Sequence, residues 1–148
     1  GTANDAPATA TRLVDICIEP YLVASAVHLV MAQRLVRKIC PDCVAEYKPD
    51  PAVVRALGEA ELKGTKYLHG AGCKQCRGRG FRGRTAVFEL LELTPELGEM
   101  VIARSSADAV RKRAIAGGFV TLRTNAIRKV KDGITTAEEA LSVCTELI

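Results

Sequence analysis

Four cysteines fall as two C-x-x-C corners, Cys40-Pro41-Asp42-Cys43 and Cys73-Lys74-Gln75-Cys76, with 29 residues between them. A C-x-x-C turn aims two thiolates at one point, and two such turns complete the tetrahedron that Zn²⁺ accepts without strain. A filled four-sulfur site leaves no position open for water, so the predicted chemistry is a structural Zn²⁺ on Cys40, Cys43, Cys73 and Cys76, with no catalytic residue. Four thiolates around a divalent ion form a net anion, and Lys38, Lys74, Arg77 and Arg79 beside the ligands are expected to stabilise it. Gly78, two residues after Cys76, is expected at positive φ, turning backbone N–H groups back toward the sulfur.

Other cysteine chemistry has less support. A redox or disulfide role for Cys40-Cys43 or Cys73-Cys76 calls for a thioredoxin-like βαβ unit beside one corner, and no such pattern is visible. Cys17 and Cys144 each fall on an apolar helical face, where cysteine is a small core residue. His69, four residues before Cys73, could replace a sulfur ligand, but nothing requires it. His28, the other histidine, has no evident catalytic partner.

The basic charge lies where the cysteines lie. The net charge is +4, and residues 40–84 hold nine bases against five acids, while the flanking segments are close to neutral. From Lys66 to Arg84 no acid interrupts Lys66, Lys74, Arg77, Arg79, Arg82 and Arg84. Most of these side chains suit a solvated turn after the cysteine corner. Planar guanidinium groups at a boundary also bind phosphate or stack on a base, which allows a nucleotide or an acidic partner. Hydrophobic residues make up 48% of the 148, which excludes a disordered or low-complexity chain, and no apolar run is long enough to span a bilayer. No secretory leader pattern opens the sequence.

Capping residues and apolar spacing predict the elements that position the corners. Asn4 or Asp5 caps a helix accepting Pro7 in its first turn, with Ala10, Leu13 and Cys17 on one face. A short helix follows over Pro20 to Val27, then a half-buried strand through Val27, Leu29, Met31, Leu35 and Ile39. The insert between the corners is predicted to hold one helix, Ala52 to Leu62, and little core. A strand over Thr85 to Leu93 leads into helices starting at Thr94-Pro95, at Ser105 or Ser106, near Thr121, and at Thr135 or Thr136. The last carries Ala137, Ala140, Leu141, Cys144 and Ile148 as a buried stripe.

Seven segments in order carry a family resemblance: Ala3-Asn4-Asp5-Ala6-Pro7, Thr11-Arg12-Leu13, Ile18-Glu19-Pro20, Ala32-Gln33-Arg34-Leu35-Val36-Arg37, the paired corners, Gly80-Phe81-Arg82-Gly83-Arg84, and Gly133-Ile134-Thr135-Thr136-Ala137-Glu138-Glu139. Together they resemble the C-terminal part of the type II secretion and type IV pilus assembly ATPases, in the branch with a tetracysteine insert. The resemblance implies an α+β fragment: the C-terminal remnant of a RecA-like α/β ATPase core (1–39), a small tetracysteine zinc-binding subdomain (40–84), and a strand plus helical C-terminal subdomain (85–148). It also implies a hexameric cytoplasmic motor, peripheral to the bacterial inner membrane, that couples ATP hydrolysis to pilus or pseudopilus extension. Its partners would be an inner-membrane platform protein and other secretion or pilus components, with no nucleic acid and no membrane span of its own. Arg84 resembles the family arginine near the nucleotide base, and Arg12 and Arg34 lie in motifs flanking the ATPase core.

These residues depart from the family pattern in one respect that governs activity. They contain no G-x-x-x-x-G-K-[ST], hence no backbone loop to cradle phosphates, and Thr2-Ala3 stand where the family has His-Thr. Gly1-Thr2 read as a remnant at the point where a longer chain was cut. The fragment is therefore expected neither to bind ATP tightly nor to hydrolyse it, with ATP and Mg²⁺ belonging to the full-length parent. A competing reading is a free-standing structural-zinc module that binds nucleic acid through residues 66–84. Only Tyr67 and Phe81 are available there to stack on bases.

Overall fold

The computed structural model describes residues 5–16 and 18–145. Its first helix, α1 (Ala6–Asp15), starts where Asp5 accepts the Ala8 N–H at 2.7 Å, and it buries Ala6, Ala10 and Val14. Helix α2 (Pro20–Ala26) opens on its proline, whose fixed φ suits the first helical position. Strands β1 (Leu29–Ile39) and β2 (Val44–Glu46) follow, then α3 (Pro51–Leu57), β3 (Leu68–Gly70) and β4 (Phe81–Glu92). The chain continues through α4 (Pro95–Ile102), α5 (Ala107–Ala116), α6 (Leu122–Lys131) and α7 (Ala137–Thr145). Thr94 caps α4 and Ser106 caps α5, each accepting an N–H three residues on. Thr136 receives the Glu139 N–H in the same way at 3.2 Å. The architecture is α+β, with two two-stranded sheets among the described residues.

Several elements depart from the expected bounds for local reasons. Helix α3 stops at Leu57, five residues short of the expected end, because Gly58 takes φ +140°. Strand β4 starts at Phe81 rather than Thr85, because Cys40 N–H reaches the Gly80 carbonyl at 2.9 Å and extends the pairing with β1. At the other end of this antiparallel pair Leu93 N–H donates to the His28 carbonyl at 2.9 Å. Between those two bonds β4 uses one residue more than β1. Gly83 takes φ +79°, and Arg82, Gly83 and Arg84 are all exposed in succession instead of alternating. Strands β2 and β3 were not expected at all. They are antiparallel, with Val44, Ala45 and Glu46 opposite Gly70, His69 and Leu68, and three residues are too few for alternation to show. Cys17 and Ile148, both assigned to helical faces above, lie outside the described residues.

The chain forms two compact units. One comprises Gly1–Ala32 and Phe88–Thr121, with a core of Val23, Val30, Leu91, Leu97, Val101 and Val110. In it the buried Glu89 carboxylate accepts the Ala6 N–H at 2.7 Å, and Arg111 pairs with the capping Asp5. The other comprises Gln33–Val87 and Leu122–Ile148. The insert has little core of its own, as expected, but it is not unsupported: Leu57 and Leu62, from between the cysteine corners, are buried with Leu122, Ile127, Val130 and Ala140 of α6 and α7. The cysteine insert and the last two helices therefore share one hydrophobic core.

Candidate metal centre

The four corner sulfurs converge within the second unit, and all four Sγ atoms lie within 4.8 Å of one another. Cys40 Sγ is 3.8 Å from Cys73 Sγ, Cys43 Sγ is 3.9 Å from Cys76 Sγ, and Cys73 Sγ is 3.7 Å from Cys76 Sγ. A regular tetrahedron built on Zn–S bonds of ~2.3 Å has edges of about 3.8 Å, which these three separations match. None of the four forms a disulfide, and these separations far exceed the ~2.05 Å of an S–S bond. Cys40 and Cys76 are buried, which keeps water from two of the four donors.

Backbone N–H groups supply the second layer. Gly72 N–H donates to Cys43 Sγ at 3.3 Å, while Cys73 N–H at 3.3 Å and Gly80 N–H at 3.2 Å both donate to Cys76 Sγ. Gly78 does have positive φ, but its own N–H goes to the Cys73 carbonyl at 2.9 Å, and the donor to sulfur is Gly80, at φ +76°. Gly80 also has no room for a side chain. A Cβ there would lie 2.3 Å from the Gly70 carbonyl oxygen, and one on Gly70 would lie 2.0 Å from that of Gly80. This backbone-to-backbone approach brings the end of β3 against the turn that follows Cys76.

The thiols respond to these surroundings in opposite directions. Burial pushes Cys40 up, and pushes Cys43 up to about 12. Burial acts the same way on Cys76, but the N–H donations of Cys73 and Gly80 outweigh it and bring that thiol down to about 6. No Lys or Arg side chain donates to a sulfur among the described residues. Arg79 Nε instead reaches the Cys76 carbonyl at 3.3 Å, and Arg82 pairs with Asp42 at 2.9 Å. The direct hydrogen bonds to the sulfurs come from the backbone.

The remaining candidate residues lie outside the sulfur cluster. Arg12 is an exposed residue of α1 in the first unit, whereas Arg34 on β1 and Arg84 on β4 belong to the second. His69 stands apart from the sulfurs, its ring stacked on Tyr47 at 4.6 Å between centroids. Cys144 is part-buried against the second core, and burial raises its thiol, as suits a packing residue. His28 contributes a backbone carbonyl to the sheet edge.

Sequence reasoning missed the groups that tie the centre to the last helix. Tyr47, just past β2, donates its hydroxyl to Glu138 in the first turn of α7, and burial followed by that carboxylate pushes the phenol up. Ile39 N–H donates to the Ile134 carbonyl at 2.9 Å, and Thr135 Oγ1 to the Arg37 carbonyl at 2.8 Å. These pairs are about a hundred residues apart in sequence, and no local pattern reports them. Glu138 and Glu139 alone are legible locally, as acids near the positive N-terminal end of the last helix, where the structure places them.

With the fold and the sulfur cluster established, the class of the protein follows from comparison. Residues 2–142 match the model of the Type II/IV secretion system protein family, and the chain belongs to that family. Among individual proteins it is similar to the type IV pilus assembly ATPase PilB of Thermus thermophilus, with 41% identity over 141 residues covering 94% of this chain and 16% of that protein. It is similar also to the type II secretion system protein E of Pseudomonas aeruginosa, with 39% identity over 144 residues covering 97% of this chain and 28% of that protein. The type II secretion system ATPase E of Vibrio cholerae is 38% identical over 144 residues, with the same two coverages of 97% and 28%. The chain thus spans between 16% and 28% of the length of these relatives. Among the described residues no helix is long and apolar enough to cross a membrane.

Proposed function

We propose that this chain is the zinc-bearing C-terminal part of a secretion or pilus-assembly motor ATPase. The parent is a RecA-like hexamer working on the cytoplasmic face of the bacterial inner membrane. It couples ATP hydrolysis to pilus or pseudopilus extension through a platform protein in that membrane. Residues 1–39 and the strand that begins 85–148 would close the ATPase core, and 40–84 would form the metal subdomain. Cys40, Cys43, Cys73 and Cys76 hold one structural Zn²⁺, whose contribution is to cross-link two distant turns and no more, since all four positions are taken by sulfur. Arg84, Arg12 and Arg34 are assigned to the surroundings of the nucleotide in the parent.

The observation that carries this reading is the cluster of four sulfurs, all within 4.8 Å of one another and with three of the separations at 3.7–3.9 Å, inside a chain whose family assignment covers residues 2–142. The chain's own residues supply no phosphate loop, so positioning and charge stabilisation of the γ-phosphate fall to other parts of the parent. The experiment is a paired assay. The 148-residue chain should carry one equivalent of zinc and show no ATP turnover, while a longer parent including a phosphate loop should hydrolyse ATP. Turnover by the chain alone, or a metal-free chain of unchanged stability, would contradict the assignment.

A further inference from the structure

The geometry points to the groove between the end of β2, β3 and the start of α7 as a binding site for a guanidinium group, supplied by an arginine side chain of a partner protein. The inference goes beyond the motor reading and does not need it, because none of the residues concerned is assigned to the metal or to a nucleotide. The groove lies wholly within the second unit and has a volume of about 340 Å³. The rings of Tyr47, His69 and Phe81 line it, together with Arg37 and the carboxylates of Glu138 and Glu139.

The chain itself shows the chemistry in one half of this groove. The Arg37 guanidinium lies 4.1 Å above the Phe81 ring and holds Glu139 at 2.8 Å. The negative face of the ring and the carboxylate attract the same planar cation. The other half repeats these ingredients with no cation of the chain. Tyr47 and His69 stack with 4.6 Å between centroids and 17° between planes, so each spends one face on the other and keeps its second. Glu138 is exposed beside them and accepts only the Tyr47 hydroxyl, on Oε2. No Lys or Arg among the described residues reaches its carboxylate. Arg37 and Glu139 cancel, so the charge of Glu138 is the one that the groove leaves uncompensated. That charge selects a cation, and the flat aromatic wall favours guanidinium over ammonium, because guanidinium is the more weakly hydrated and stacks on a ring while donating to a carboxylate at its edge.

The test titrates the zinc-loaded 148-residue chain with a blocked alanine-arginine-alanine tripeptide and, as control, the same peptide with glutamine at its centre. The ring resonances of Tyr47 and His69 follow binding. The arginine peptide should shift both rings saturably and the glutamine peptide should not. Affinity should fall roughly threefold or more in Glu138→Gln, and by a similar factor in Tyr47→Leu, read there from His69. Tyr47→Phe keeps the ring and releases Glu138 from the phenol, so it should bind at least as well as the unaltered chain. Glu99→Gln removes an exposed carboxylate of the other unit and should change nothing. Unchanged melting of Glu138→Gln separates lost binding from lost folding. No shift at either ring, an equal response to both peptides, an equal loss in Glu99→Gln and Glu138→Gln, or full binding by Tyr47→Leu would each overturn the proposal.

Discussion

Arg37 grips Glu139 three times: Nε at 3.0 Å and Nη2 at 2.8 Å meet Oε1, and the Arg37 backbone N–H meets Oε2 at 2.9 Å. The contact joins the end of β1, three residues before the first cysteine corner, to the first turn of α7. Burial disfavours the Glu139 carboxylate, but the Arg37 donors outweigh it and hold the carboxyl below its ordinary 4.5. A depressed folded value means that the contribution is fully present above pH 4.5 and is lost as pH falls through the lower folded value. Because the arginine is 54% exposed, the pair is worth only about 1 kcal/mol. Glu139→Gln should therefore lower the stability of the second unit by that amount at neutral pH. The difference from wild type should vanish in acid melts.

The shared core of Leu57, Leu62, Leu122, Ile127 and Val130 ties the fate of α6 and α7 to the cysteine insert. Structural zinc can contribute ~10 kcal/mol or more to folding, so Cys73→Ser should cost several kcal/mol. The loss should not stay within 40–84. In hydrogen exchange, amides of α6 and α7 should lose protection together with those of β2 and β3, while α1, α2, α4 and α5 keep theirs. Protection retained in α6 and α7 would mean that the hydrophobic contacts suffice without the ion.

Two glycines near the second corner should respond differently. At Gly80 an added Cβ meets the Gly70 carbonyl oxygen at 2.3 Å and the residue also holds φ +76°. Gly80→Ala should cost about 2 kcal/mol or more and weaken metal retention, since its N–H serves Cys76. Gly78 has the same left-handed backbone but nothing within 4 Å, so Gly78→Ala should cost only about 1 kcal/mol. Thermal melts with zinc content measured in parallel separate the two.

In the first unit, Glu89 is a buried carboxylate serving the α1 N-terminus through Ala6 N–H. Glu89→Ala would leave that donor buried and unpaired, at a cost of about 2 kcal/mol. Urea melts should show the loss, and zinc content should not change, because Glu89 and the cysteines belong to different units.

The convergence of the four cysteines and most helix starts were legible because their signals are local. Asp5, Thr94 and Ser106 announce their helices through one side-chain acceptor each, and a C-x-x-C turn needs no distant partner to be recognised. What the sequence hid is non-local. Leu57 and Leu62 look like stray leucines in a polar insert until α6 and α7 cover them. Gly70 and Gly80 look like two turn glycines until their backbones meet. Tyr47 has no pattern pointing to Glu138, 91 positions away. Strands β2 and β3 escaped for a simpler reason, being only three residues each.

X-ray absorption at the zinc edge of the purified 148-residue chain tests the central claim most directly. The account predicts one equivalent of Zn²⁺ with a shell of four sulfurs at ~2.3 Å and no nitrogen scatterer. A mixed sulfur–nitrogen shell implicating His69, or a chain that binds no metal and joins its corner cysteines in disulfides, would contradict it.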